Sequence, residues 1–353
     1  MTSDVIDHRR PVAYRALHVV DPNTILAGRQ RWNGARYSGT PGHYESWFQR
    51  ANHPTRPLGL WIRYTIFAPT DPTRPACGEL WAIWFDGERG RITAAKSEHP
   101  IAACRFDRDA LGVGIGDAVL DHTALRGEAV GGGHRIAWSL DYGGDSPPLL
   151  LLPEAVYGRG FPRAKALVGV PLCRYHGELD VDGERIAIDG WLGSQNHNWG
   201  SRHTDRYAWG QVAGFDGRDD AMLECSTAKL RIGPLWTPWL TVAVLRLGDE
   251  TFAFNSLARS PLGRAHLDGL HWRFDTGNGR ERMRVEFGAP SDAFVGLRYG
   301  NPPGGTKICI NSKIARCTAE LVRADGTSTV LRSAHRAAFE LLRDDAMGIT
   351  VVA

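Results

Sequence analysis

The chain has 353 residues, room for one large or two ordinary domains, and 42% of them are apolar, enough for a substantial core. The formal net charge is only +3 and no basic run stands out, so charge gives no reason to expect nucleic acid as a partner. No stretch approaches the roughly 18 uninterrupted apolar residues of a membrane span.

The N-terminal MTSDVIDHRRPVAYRALHVV lacks the apolar centre of a signal peptide. Six cysteines (Cys77, Cys104, Cys173, Cys225, Cys309 and Cys317) are scattered without a CxxC pair. That pattern fits reduced, mostly buried thiols in a cytoplasmic protein; a Cys309–Cys317 disulfide is the alternative. Many glycines and tryptophans with few long helical patterns favour an all-β fold.

Residues 1–40 are polar and turn-rich and read as an irregular arm or a short edge strand. Tyr44 to Gln49 (YESWFQ) alternates weakly, and Leu60 to Phe67 (LWIRYTIF) is a strand by its β-branched and aromatic content. Pro69, Pro72 and Pro75 close that strand into a loop. Leu80 to Phe85 then meets Asp86-Gly87, a strong hairpin signal. The device recurs at Asp182-Gly183, Asp216-Gly217, Gly248-Asp249, Gly277-Asn278-Gly279 and Asp325-Gly326. Short strands at this spacing predict antiparallel barrels or sandwiches. Only Ala334 to Asp344 (AHRAAFELLRD) has a helix-like pattern, with a strand as the alternative. The Pro147-Pro148 step, the Gly158 to Pro162 loop and Gly169 to Pro171 are candidate boundaries; the last divides the chain into two β-domains, 1–170 and 171–353.

One stretch breaks the apolar patterning: GWLGSQNHNWGSRH, residues 190–203. A metal site is not expected there. His197 and His203 are widely spaced, with no Cys, Asp or Glu between them, and nothing links His266 or His271 to them. Ser194 lacks the GxSxG setting of a nucleophile, and Cys225 lacks an electropositive one. Acid–base chemistry is the sharper reading, because His is the usual proton carrier near neutral pH. His197 stands between Asn196 and Asn198, with Gln195 before them and Trp199 two residues on, on the same face of an extended segment.

Downstream, Tyr207, Trp209 and Gln211 share one strand face, which suits the wall of a ligand cavity. If the next hairpin closes near Asp216-Gly217, Glu224 returns beside Gln211, and burial would raise its pKa and make it a candidate proton donor. The plainer alternative makes His197 a satisfied turn residue, Tyr207 and Trp209 core, and Glu224 an exposed residue or a partner of Arg202, Arg206 or Lys229.

The texts GERIAIDGWLGSQNHNWG and RYAWGQVAGFDGRDDAMLECS resemble the carotenoid 1,2-hydratase (hydroxyneurosporene synthase) and AttH-like family, of lipocalin or calycin type. HYESWFQRA, LWIRYTIFAP and GELWAIWFDG resemble that family's opening Glu-x-Trp segment and paired strands. The resemblance spans roughly residues 40–330 and implies two lipocalin-like antiparallel β-barrel or sandwich domains with a hydrophobic ligand site near their junction. It also implies cofactor-free chemistry on a lipophilic, isoprenoid- or polyketide-like molecule, as in relatives that hydrate isoprenoid double bonds, tocopherol cyclase-like proteins and ring-closing fungal pericyclases.

Residue by residue, His197 and Trp199 match the family's His-x-Trp, Glu45 and Trp47 its Glu-x-Trp, and Tyr207, Trp209 and Gln211 its aromatic strand. One departure matters: Asn196 stands where many relatives have Asp, and an amide cannot protonate an alkene. If the chemistry is protonation, Glu224 or Glu45 is the acid, with Trp199, Trp209 and Tyr207 facing the resulting cation; otherwise the site only binds and shapes its ligand. No nicotinamide, flavin or haem motif is present, so no cofactor is expected. Three readings remain: a cofactor-independent hydratase, cyclase or isomerase; a lipophile carrier; and a structural β-protein whose polar loop pins two domains together.

Overall fold

The computed structural model describes residues 22–352. Two large antiparallel sheets dominate it, one of twelve strands and one of ten, with a two-stranded hairpin (Arg231–Ile232 and Leu235–Trp236) beside them. The first sheet runs from Arg91–Pro100 at one edge to Cys104–Phe106 at the other. It coils until Ser97 exchanges hydrogen bonds with the backbone of Val130 across the gap, which makes it nearly a closed barrel. The second runs from Glu250–Phe254 to Arg264–Asp268. The fold is the all-β, two-unit architecture expected.

Each turn signal joins two paired strands. Asp86-Gly87 links Cys77–Asp86 to Arg91–Pro100, and Asp182-Gly183 links Ala164–Val181 to Glu184–Gly200. The latter two strands are much longer than their apolar text suggests, and both belong to the first sheet. The chain passes to the second sheet only between Gly200 and Arg206, well beyond residue 170.

Two sequence expectations change. Residues 22–33 form an α-helix, Pro22–Asn33, rather than an irregular arm or edge strand. Its periodicity is weak because tertiary bonds hold it. Arg29 donates to the carbonyls of Gly144 and Ser146, and the carbonyls of Trp32 and Asn33 are taken by His197 and Trp47. The reading of residues 1–21 lies outside the described residues. The helix-like Ala334 to Asp344 segment is strand throughout its described pairing, as the second half of Ser328–Arg343. It lies between Arg206–Phe215 and Thr306–Val322 and is buried on both faces, so its apolar residues run on without strand alternation. The alternative Cys309–Cys317 disulfide does not form: all six thiols are free.

The same double burial positions the site. His43–Asn52 and Leu58–Ala68 are buried along almost their whole length. Alternation sends successive side chains to opposite faces. Trp47, Ala51, Leu60, Ile62 and Tyr64 fill the interior of the first barrel. Phe48 and Trp61 turn the other way and pack with Trp81 and Phe85 against Trp209, Leu297, Tyr299 and Leu342 of the second sheet. Beside this apolar layer, the fully buried Arg50 donates to Gln211 Oε1 (3.2 Å) and Arg336 O (2.7 Å), while Asn52 donates to Lys313 O (2.7 Å). Polar and apolar contacts thus clamp one sheet to the other.

Candidate functional site

A cavity of about 230 Å³ opens between the sheets. Its walls are mostly apolar and aromatic, with Phe48, Trp61 and Leu167 from the first sheet and Tyr207, Trp209, Val242 and Tyr299 from the second. Phe161, Leu230 and Leu257 also line it. Few polar groups enter: Asn196, Asn198, Glu224, Ser226, Glu340, Arg63, Lys165 and His203 are the main ones. An apolar cleft with a small number of placed polar groups is the usual form of a small-molecule site.

Most of the polar stretch of residues 190–203 is strand. Residues 190–200 continue the Glu184–Gly200 strand, paired with His43–Asn52 on one side and Ala164–Val181 on the other. Gly193 allows this closeness, since a Cβ there would meet Arg50 O at 1.8 Å. Alternation then divides the motif. Asn196 and Asn198 line the cavity, whereas Gln195, His197 and Trp199 do not.

His197 stacks on Trp47, with ring centroids 4.9 Å apart, and lies 4.7 Å from Trp199. Its Nδ1 is 2.8 Å from Trp32 O and its Nε2 2.8 Å from Glu45 Oε1. The ring therefore answers an orphan carbonyl at the end of the helix and a buried carboxylate together. Glu45 also accepts from the backbone N–H groups of Arg36 and Tyr37 and from His43 Nε2. Burial pushes the Glu45 carboxyl up, but the bonds from His197 and His43 outweigh it and hold it down at about 2. Glu45, Trp47 and His197 thus form a clamp between helix and barrel, and none of them lines the cavity.

Glu224 has the opposite setting. It pairs in register with Gln211 across the Arg206–Phe215 and Arg218–Lys229 hairpin, and it lines the cavity. Its Oε1 accepts from Trp209 Nε1 and its Oε2 from Gln211 Nε2, both at 2.8 Å. Gln211, itself wholly buried, donates also to Asn196 Oδ1 (2.6 Å) and accepts from Ser194 Oγ (2.7 Å). Burial raises the Glu224 carboxyl to about 7 against the lowering effect of Trp209, Gln211 and Arg50. It pairs with none of Arg202, Arg206 or Lys229; Arg202 is held by Asp205 instead. Each carboxyl oxygen keeps a free lone-pair direction, so the neutral form can carry a transferable proton.

A second polar group lies on the same sheet, on the other side of the Arg206–Phe215 strand. Glu340 accepts from Lys313 Nζ (2.7 Å) and Asn311 Nδ2 (3.0 Å), with Tyr207 Oη at 3.4 Å. His203 donates from Nε2 to Gly300 O (3.1 Å) and is pushed down to about 3 by burial and by the charge of Arg63, so it stays neutral. Sequence reasoning missed Arg63, Glu340, Lys313 and the site role of His203. A signal existed: Arg63 interrupts the apolar run LWIRYTIF, and a charge in a two-sided buried strand needs a reason.

No protein-family model matches the chain. Two uncharacterized proteins, from two strains of Mycobacterium tuberculosis, are each 25% identical to it over 311 residues, covering 86% of this chain and 87% of theirs. Among solved structures, an AttH-like protein from Nitrosomonas europaea superposes with a TM-score of 0.58 at 14% identity, over 89% of this chain and 95% of that one. Kievitone hydratase from Nectria haematococca gives 0.53 at 13% identity, over 92% and 94%. CghA gives 0.54 at 11% identity, over 92% and 97%. These likenesses define the class of fold: the chain shares its all-β architecture with these three structures.

Proposed function

We propose that the chain is a cofactor-independent enzyme that protonates a double bond of a lipophilic, isoprenoid- or polyketide-like substrate held between its two β-units, which we divide at residues 201–205. One observation carries this reading: a carboxyl group raised to about 7 by burial sits in the wall of an apolar cavity. A protonated carboxyl near neutral pH is the acid that alkene protonation requires. That a kievitone hydratase shares the fold supports the reading.

In the proposed step, the π pair of the substrate takes the proton of Glu224, leaving a carboxylate and a carbocation. The faces of Trp209, Trp61 and Tyr207 shield the cation. Water addition gives a hydrate, attack by a second double bond gives a ring, and loss of a neighbouring proton gives an isomer. In each case the Glu224 carboxylate takes a proton back. Trp209 and Gln211 orient the carboxyl, and Asn196 fixes Gln211. Glu45 and His197, paired outside the cavity, hold the scaffold in this scheme. Six free thiols support a reducing, cytoplasmic setting. Among the described residues, no helix is long and apolar enough to cross a membrane.

The test is to extract the protein from its producing cells, identify the lipophile that co-purifies, and follow its conversion by wild type and Glu224→Gln. Product from wild type alone supports the assignment. Equal turnover by both proteins refutes Glu224 as the acid. A bound lipophile that neither converts favours the carrier reading.

A further inference from the structure

Arg63 is 5% exposed, and what little it shows faces the cavity. Its neighbours are ring faces: its guanidinium carbon lies 4.6 Å from the Tyr299 centroid and 5.9 Å from that of Trp61. Its Nε has no hydrogen-bond partner among the described residues. Glu79 and Glu340 favour its charged form, but neither forms a salt bridge with it. Glu340 is 2.7 Å from Lys313 Nζ, and Glu79 is 2.9 Å from Lys96 Nζ and accepts from Trp81 Nε1. The other lining cation, Lys165, is already held by the carbonyls of Arg159 and Pro162. A guanidinium stays charged in any protein, and leaving its buried donor without a partner is costly. This end of the cavity therefore presents a buried guanidinium with an unpartnered donor.

We infer that the ligand of this cavity bears an anionic oxygen group, a carboxylate or an enolate, that binds Arg63. The planar fork of Arg63 suits a carboxylate's two oxygens. Tyr44 and Tyr299 line the same end and bring phenol groups beside it. Neutral His203, its ring tilted against Tyr44 with centroids 4.1 Å apart, adds no competing charge.

The register sets the length of the ligand. Arg63, Phe48 and Asn196 occupy one rung of three neighbouring strands. Arg63 and Asn196 are thus two strand spacings apart, roughly 10 Å. Asn196 reaches Glu224 through Gln211. The ligand therefore spans an apolar lining of Phe48, Trp61 and Trp209, with its anionic head at Arg63 and its far end toward Glu224. The inference rests on the cavity being a ligand site, as proposed above, and not on Glu224 acting as an acid.

Decanoate and 1-decanol, titrated against the full chain at about pH 8 with tryptophan fluorescence as the signal, test it. Wild type is expected to bind decanoate at least about tenfold more tightly than decanol, as a charge-assisted bond in a dry site implies. Arg63→Met should erase that preference and keep decanol affinity, and Arg63→Lys should restore part of it. Equal binding of the two ligands by wild type overturns the anionic-group inference and leaves the cavity reading standing. Binding of neither overturns both. An acid preference that survives in Arg63→Met assigns the anion to another group and overturns the role of Arg63. The wild-type comparison decides the matter even where a variant fails to fold, and Glu224→Gln should keep the decanoate preference whatever its activity.

Discussion

Glu45 of the first sheet and Glu224 of the second are both buried carboxyls, and their settings drive them apart. Glu45 faces the interior of the first barrel, accepts four neighbouring donors and is held at about 2. Glu224 faces the cavity, accepts only two and is raised to about 7. Burial penalises both; the number and charge of the donors decide which effect wins. A carboxylate fully bonded to its scaffold has no proton to give. A half-bonded one beside an apolar void does.

The largest expected effect follows from that contrast. Glu224→Gln should lower turnover of the cavity's substrate about a hundred- to ten-thousand-fold, the usual contribution of a positioned acid. Steady-state kinetics on Glu45→Gln should show an unchanged kcat in whatever fraction is folded. A large kcat loss there, with Glu224→Gln active, would reverse the roles of the two carboxyls.

Stability should show the mirror image. His197→Ala removes one of four donors to the buried Glu45 carboxylate and the partner of Trp32 O, and urea unfolding should reveal a loss of about 3 kcal/mol. A loss no larger than that of an ordinary surface substitution would deny the clamp.

The two groups also predict opposite pH limits. The Glu45 carboxyl is depressed below its ordinary 4.5, so its contribution to stability is complete above that value. It drains away as pH falls toward 2, and Glu45→Gln should flatten that acid limb of the unfolding curve. The Glu224 proton must be present for transfer, so kcat/KM of wild type should fall as pH rises through about 7. A profile level to about pH 9 would remove Glu224 from the acid's role.

The smallest effect concerns tuning. Trp209→Phe removes one donor to the Glu224 carboxylate, so the alkaline limb should move up by about one unit, with kcat changed little at low pH. A downward shift would show that the indole does not stabilise the ionised form.

Much of this was legible in the chain. The Asp-Gly turns marked the hairpins, and the Asp216-Gly217 turn alone placed Glu224 opposite Gln211. The face of Tyr207, Trp209 and Gln211 followed from alternation, and two of its three residues line the cavity while Gln211 supports Glu224 from behind. The helix Pro22–Asn33 was not legible, because bonds from Arg29, Trp47 and His197 hold it rather than its own periodicity. Nor was the site at Arg63, whose neighbours Tyr299 and Tyr44 lie far apart in sequence.

Sequence by itself determined the all-β class, the hairpin pairings and the presence of an unusual polar knot at Gln195 to Asn198. Those properties are local: turn chemistry and two-residue alternation act within a few residues. Tertiary structure decided which face of the knot meets the ligand space. A strand buried on both sides carries no apolar and polar faces to tell inside from outside. Only the packing of the second sheet turned Asn196 and Asn198 toward a cavity and left His197 to hold a helix end.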